Sequence, residues 1–130
     1  MKYLPDTNTL IAVMRNKQSV VDRFRFLRAE DVGISMIVYH ELVYGAVNSD
    51  RRQESFASIE SFRFELLPFE AEDAFRAAEI RASLKVRGTP IGAYDVLIAG
   101  QALARDLTVV TRNTREFLRV EGLKLEDWED

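Results

Sequence analysis

Cysteine is absent from the 130 residues of this chain, so neither a disulfide framework nor a thiolate metal site can form. Histidine occurs once, at position 40. No Ser-His-Asp arrangement has a usable signature, and His40 is expected to be a structural hydrogen-bonding residue rather than a general base. A Gly-x-Gly-x-x-Gly fingerprint and a Walker-type loop are both missing, which leaves nucleotide-cofactor chemistry without support. No apolar run approaches the ~20 residues that span a bilayer, and the apolar start is too short for a signal peptide. Repeats, low-complexity tracts and interdomain linkers are lacking as well. The expectation is one compact domain over residues 1–130, soluble and cytoplasmic, with a 47% hydrophobic composition from which to build a core.

The net charge of −3 superficially argues against a nucleic-acid partner, but its distribution weakens that objection. From Glu121 onward the chain carries five acids and one base, a local charge of −4; taken from −3, this leaves +1 for the rest. A site that binds metal also contributes acids whose charge the metal neutralises.

Strand and helix signals alternate, the pattern of an α/β fold with a central, mostly parallel sheet flanked by helices on both faces. Lys2–Pro5 reads as a first strand, with Pro5 at its last position or on a side where no ladder bond is needed, because it has no amide hydrogen to donate. Thr7 or Asn8 caps a helix running to Met14. Further helices are expected over Ser19–Ala29, Val38–Asn48, Asp50–Glu65, Ala71–Val86, Asp95–Arg105 and Thr114–Val120. Strands are expected over Val32–Ile37, Leu66–Phe69 and Leu107–Thr111. Gly88 and Pro90 stop the Ala-rich helix.

Three acids stand in apolar settings: Asp6 after Tyr3-Leu4-Pro5, Glu41 within Ile37-Val38-Tyr39-His40-Glu41-Leu42, and Asp95 before Val96-Leu97-Ile98-Ala99. A carboxylate at the carboxyl edge of a first strand sits where open α/β sheets bind ligands. Burying three such groups is costly unless something cationic compensates them, and hard oxygen ligands suit Mg²⁺, with Mn²⁺ as a substitute. Taken singly, each acid also makes sense as helix capping or as a partner of a helix dipole.

At these residues the chain resembles the PIN-domain nucleases, and among them the VapC-type toxins of type II toxin–antitoxin pairs. Four stretches carry the resemblance in family order: Leu4–Leu10 with its Asp-Thr-Asn opening, Ile37–Gly45 around Glu41-Leu42, Gly88–Gly100 around Asp95, and Leu107–Phe117 with Thr111-Arg112-Asn113 and Glu116-Phe117. The resemblance implies a metal-dependent endoribonuclease that hydrolyses RNA phosphodiester bonds, leaving a 5′-phosphate and a 3′-hydroxyl. Asp6, Glu41 and Asp95 would hold Mg²⁺ directly or through water. Thr7, Asn8 and Thr111 would orient them by hydrogen bonding, and Arg112 would touch a phosphate. It further implies a homodimer, inhibited by a VapB-like antitoxin that alone provides contact with operator DNA.

The chain departs from the commonest family pattern at Asn113, where many relatives carry an acid. An amide offers one oxygen but no negative charge, so a weaker second metal site is expected, with Glu116 as the remaining acid near that edge. The basic candidates for RNA are Arg15, Lys17, Lys85, Arg87, Arg112 and Arg115. Two rival functions are a haloacid-dehalogenase-like phosphatase and a non-catalytic PIN module that binds RNA or protein. The first needs an acid where Asn8 stands; retention of Asp6, Glu41 and Asp95 argues against the second.

Overall fold

Five short strands, all paired in parallel, organise the computed structural model, which describes residues 1–129. They are β1 (Tyr3–Pro5), β2 (Gly33–Ser35), β3 (Glu65–Leu67), β4 (Thr108–Val110) and β5 (Lys124–Glu126). Leu4 aligns with Val109 between β1 and β4, Ile34 with Leu66 between β2 and β3, and Val109 with Leu125 between β4 and β5. A single parallel bridge from Tyr3 to Val32 joins the two groups into the order β3-β2-β1-β4-β5. After β1 the chain fills one side of the sheet, then returns across it to lay down β4 and β5. The carboxyl ends of β1 and β4 therefore form a topological switch point, the place where open α/β sheets leave a crevice. Leu4, Val109 and Val110 are fully buried beneath it.

Seven helices surround the sheet: α1 (Thr7–Met14), α2 (Gln18–Arg25), α3 (Met36–Val47), α4 (Arg52–Glu60), α5 (Ala71–Val86), α6 (Ala93–Arg105) and α7 (Thr114–Phe117). The α/β class and the parallel sheet agree with the sequence reading, and several boundaries do not. The strand expected to reach Ile37 stops at Ser35, whose Oγ accepts the Ile37 amide at 3.1 Å and starts α3 two residues early. The amphipathic helix expected to reach Glu65 ends at Glu60, and Phe62 and Phe64 instead stack with ring centroids 6.0 Å apart. The helix expected to continue to Ala29 ends at Arg25, and a 3-10 turn follows over Ala29–Asp31. The last helix ends at Phe117 rather than Val120.

The acidic C-terminal stretch holds the largest departure. It forms β5 on the edge of the sheet, then buries Trp128 edge-on against Tyr3 and Phe24, each with ring centroids 5.0 Å away. The Arg23 guanidinium lies 4.9 Å from the centroid of the same indole, a favourable cation–π placement.

α5 and α6 cross closely, fixing the helix that carries Asp95. A Cβ placed on Gly100 would come within 2.5 Å of the Ala77 backbone nitrogen. The adjoining pair of Asp73 and Arg105 is buried on the acid's side, with Arg105 Nη2 2.8 Å from Asp73 Oδ2 and also donating to the Pro68 carbonyl at 2.7 Å. Gly100→Ala gains ~1 kcal/mol in helix propensity, against ~1–3 kcal/mol for overpacking. Because the obstructing atom is backbone, the loss dominates: urea unfolding of Gly100→Ala should show a net destabilisation of roughly 1–2 kcal/mol.

Candidate active site at the strand switch point

Asp6 follows β1 directly and is itself the N-cap of α1, a role the sequence reading had assigned to Thr7 or Asn8. Its amide donates to the Val110 carbonyl at 2.9 Å, which ties it to β4. Its Oδ1 accepts the Thr9 amide at 2.9 Å and its Oδ2 accepts the Thr111 hydroxyl at 2.6 Å. Only 4% of the residue is exposed. Burial pushes its carboxyl above the ordinary carboxylate value, and the bonds from Thr111 and Thr9 only partly offset this. Thr9 was not singled out from the sequence. It matters twice, because its hydroxyl also bonds the Val110 carbonyl at 3.0 Å; its position three residues after a capping acid is the one signal that points to it.

Glu41 comes from the middle of α3, and the Thr7 hydroxyl donates to its Oε1 at 2.8 Å. Asp95 lies in the first turn of α6, whose N-cap is Gly92, so Asp95 is not the cap it resembled in the sequence. The Asp95 carboxyl is raised to about 6: burial contributes most, followed by the charges of Asp6, Glu116 and Glu41 and a hydrogen bond with Glu116. Asn113 Nδ2 donates to Glu116 Oε2 at 2.8 Å, and the Asn113 amide donates to Thr111 Oγ1 at 2.9 Å. Asn113 thus positions Glu116, leaving its own side-chain oxygen as the atom able to serve a ligand.

The fold brings together Asp6, Glu41, Asp95, Asn113 and Glu116 with Thr7 and Thr111. These groups share hydrogen bonds, and their charges act on one another. They are not gathered into a finished cage: among the described residues no three acids are close enough to hold one ion together. The donor set nevertheless fits a hard divalent cation, since it is all oxygen and its mutual repulsion is what such a charge relieves. Asn8 is exposed and lines a neighbouring groove with Arg15, Lys17 and Arg112. Lys85 and Arg87 line other grooves, with Arg87 spent on the Arg119 carbonyl, and Arg115 is exposed on α7. His40 is exposed, its ring centroid 5.7 Å from that of Tyr94, so it packs on an aromatic ring instead of serving as the expected hydrogen-bonding residue.

Fold and site define a class: an α/β protein with an oxygen-rich, acidic crevice at the switch point of a parallel sheet. The chain belongs to the PIN-domain family, whose model matches residues 3–123, and within it to the VapC ribonucleases. It is 42% identical to the tRNA(fMet)-specific endonuclease VapC of Salmonella typhimurium, over 98% of each chain. Ribonuclease VapC2 of Rickettsia felis is 35% identical over 99% of each. Among solved structures, that of DNA-bound VapBC from Salmonella typhimurium superposes with a TM-score of 0.93 at 41% identity, covering 98% of both chains.

The raised Asp95 carboxyl has a consequence for metal-free stability. The unfolded chain ionises Asp95 near the ordinary carboxylate value and the folded protein only near 6. The folded state therefore loses this contribution as pH rises from about 4 through about 6. Asp95→Asn should flatten that decline and, after discounting for partial exposure, raise stability at pH 7 by ~1 kcal/mol in EDTA. Urea titrations at pH 4.5 and pH 7 read it directly, and a variant less stable than wild type at pH 7 would contradict the electrostatic account.

Proposed function

We propose that this protein is a Mg²⁺-dependent endoribonuclease acting as the toxin of a VapBC-type pair, with the whole of residues 1–130 as its one PIN domain. The observation that carries the reading is the convergence of Asp6, Glu41, Asp95 and Glu116 on one crevice without a protein cation to compensate them. In this reading Asp6, Glu41 and Asp95 would hold the ion directly or through water, and the Asn113 oxygen and Glu116 would complete the set at the position where charge is deficient. Bound Mg²⁺, with Mn²⁺ as substitute, supplies water activation and neutralisation of charge at the phosphoryl group.

The chain's own residues hold that arrangement. Thr111 and the Thr9 amide fix both Asp6 oxygens, Thr7 fixes Glu41, and Asn113 fixes Glu116. Such outer hydrogen bonds set the direction in which a carboxylate offers its remaining lone pairs. Arg112, exposed beside Asn113, is suited to a substrate phosphate.

The substrate class is RNA. The identity to relatives named for cleavage of tRNA(fMet) makes an initiator tRNA the substrate to assay first. The partner is a VapB-like antitoxin, on a likeness to VapBC complexes. A cavity of about 510 Å³ that includes Glu41 is lined both by Ile11, Met14, Leu42 and Ala46 and by Arg15, Arg51, Glu54 and serines, and suits an amphipathic antitoxin segment. The protein acts as a homodimer in the cytoplasm, with DNA contacted through the antitoxin. No helix of the described residues is long and apolar enough to cross a membrane.

With Mg²⁺ and initiator tRNA, Asp6→Asn and Asp95→Asn should abolish cleavage while keeping a cooperative unfolding transition. Thr111→Val should lower cleavage by about 10–100-fold, because it frees Asp6 without removing it. Glu116→Gln should weaken Mg²⁺ binding by calorimetry. Folded Asp6→Asn and Asp95→Asn proteins that cut like wild type would end the nuclease reading.

A further inference from the structure

Beside the acidic crevice lies a cavity of about 530 Å³ lined by Asn8, Arg15, Lys17, Arg112, Asn113 and Glu129, among others. Three of these side chains are cationic, and the cavity adjoins the carboxylates through two residues. Asn8 follows Asp6 by two positions, and Asn113 is hydrogen-bonded to Glu116. Among the described residues the one acid lining the cavity is Glu129, from the segment after β5. Its Oε1 lies 3.1 Å from Lys17 Nζ, its side chain is only 12% exposed, and its carbonyl accepts the Ser19 hydroxyl at 3.2 Å. Glu129 is also among the charges acting on Asp6. An acid placed close to a repelling acidic centre is held there by the cationic wall, so the cavity is an anion position. A carboxylate on a lysine occupies the same kind of place as a phosphate oxygen.

We propose that the groove of Asn8, Arg15, Lys17 and Arg112 is a subsite for an RNA phosphate flanking the scissile one, and that Glu129 fills it in the free protein until RNA displaces it. The inference rests on the ribonuclease reading for its substrate class. It commits to RNA rather than an acidic protein segment because the groove is lined by Asn113, which is hydrogen-bonded to Glu116 among the carboxylates that would act on a phosphodiester. Lys17 and Glu129 are positioning residues here, acting on substrate affinity and not on the reacting atoms.

The test is fluorescence anisotropy of a 5′-fluorescein-labelled 12-nucleotide oligouridylate in EDTA, where binding is read without cleavage. Glu129→Gln should tighten binding about two- to fivefold, the scale of one partly exposed ion pair. Glu121→Gln, the same charge change at a site lining a different groove, should leave affinity nearly unchanged. Lys17→Ala should weaken binding and lower the salt-dependence slope by about 0.7, the value for one phosphate contact on a single strand. Equal effects of Glu129→Gln and Glu121→Gln would overturn the proposal, since bulk charge then explains both. No binding by wild type, or Lys17→Ala loosening an antitoxin complex but not RNA, would overturn it too. Thermal melts check that each variant folds, and Lys17→Gln repeats the lysine test with a polar replacement. Absent Mg²⁺-dependent cleavage of initiator tRNA alongside the expected Glu129→Gln effect would defeat the nuclease reading and leave the subsite standing.

Discussion

Burial of carboxylates at the switch point, with their mutual repulsion added to it, is the constraint on which the candidate site depends. Asp6 is nearly buried, yet no lysine or arginine is bonded to it; a hydroxyl and a backbone amide take up its oxygens instead. Those bonds reduce the desolvation penalty without cancelling it, so its carboxyl stays above the ordinary value. Asp95 is raised chiefly by its own burial, and then by the charges of Asp6, Glu116 and Glu41. The same protein shows how an acid is buried for stability alone: Asp73 is 2% exposed, and Arg105 meets both its oxygens. The two buried aspartates differ in that Asp73 is paired with a cation and Asp6 is not.

The rest of the architecture holds the four acids in place from distant parts of the chain. β1 and β4 are parallel neighbours, so the residues leaving their carboxyl ends meet, and Thr111 reaches Asp6 across 105 positions of sequence. α3 contributes Glu41 through a hydroxyl on α1, and α6 contributes Asp95 from a helix locked against α5 by the absent side chain of Gly100. Each acid therefore stands on a different element, and the repulsion between them is resisted by the whole core. Leaving these acids without a cationic partner lowers stability where they are ionised.

Much of this was legible in the sequence, because an acid flanked by apolar residues is conspicuous. Asp6, Glu41 and Asp95 stood out on that ground, and in the fold the charges of Asp6 and Glu41 act on Asp95, although among the described residues no three acids are close enough to hold one ion together. The choice between capping and function at Asp6 proved unnecessary, since one oxygen caps α1 while the carboxylate lines the crevice. Boundaries were harder where one run suits two elements. Ile34-Ser35-Met36-Ile37-Val38 is apolar enough for a strand or a buried helix, and only the Ser35 cap decides it. β5 was missed because its acids obscured the alternation of Leu123 and Leu125 and the anchoring Trp128. Glu129 carried no signal, because its role depends on Lys17, 112 positions away.

The central claim is that the acids are uncompensated until a divalent cation binds, and thermal unfolding tests it directly. Mg²⁺ or Mn²⁺ added at pH 7.5 should raise the Tm of the wild-type protein, by the mass action of a ligand specific to the folded state. Asp95→Asn should start from a higher Tm in EDTA and gain far less from the metal. A wild-type Tm indifferent to both ions, or an equal gain in Asp95→Asn, would contradict the account.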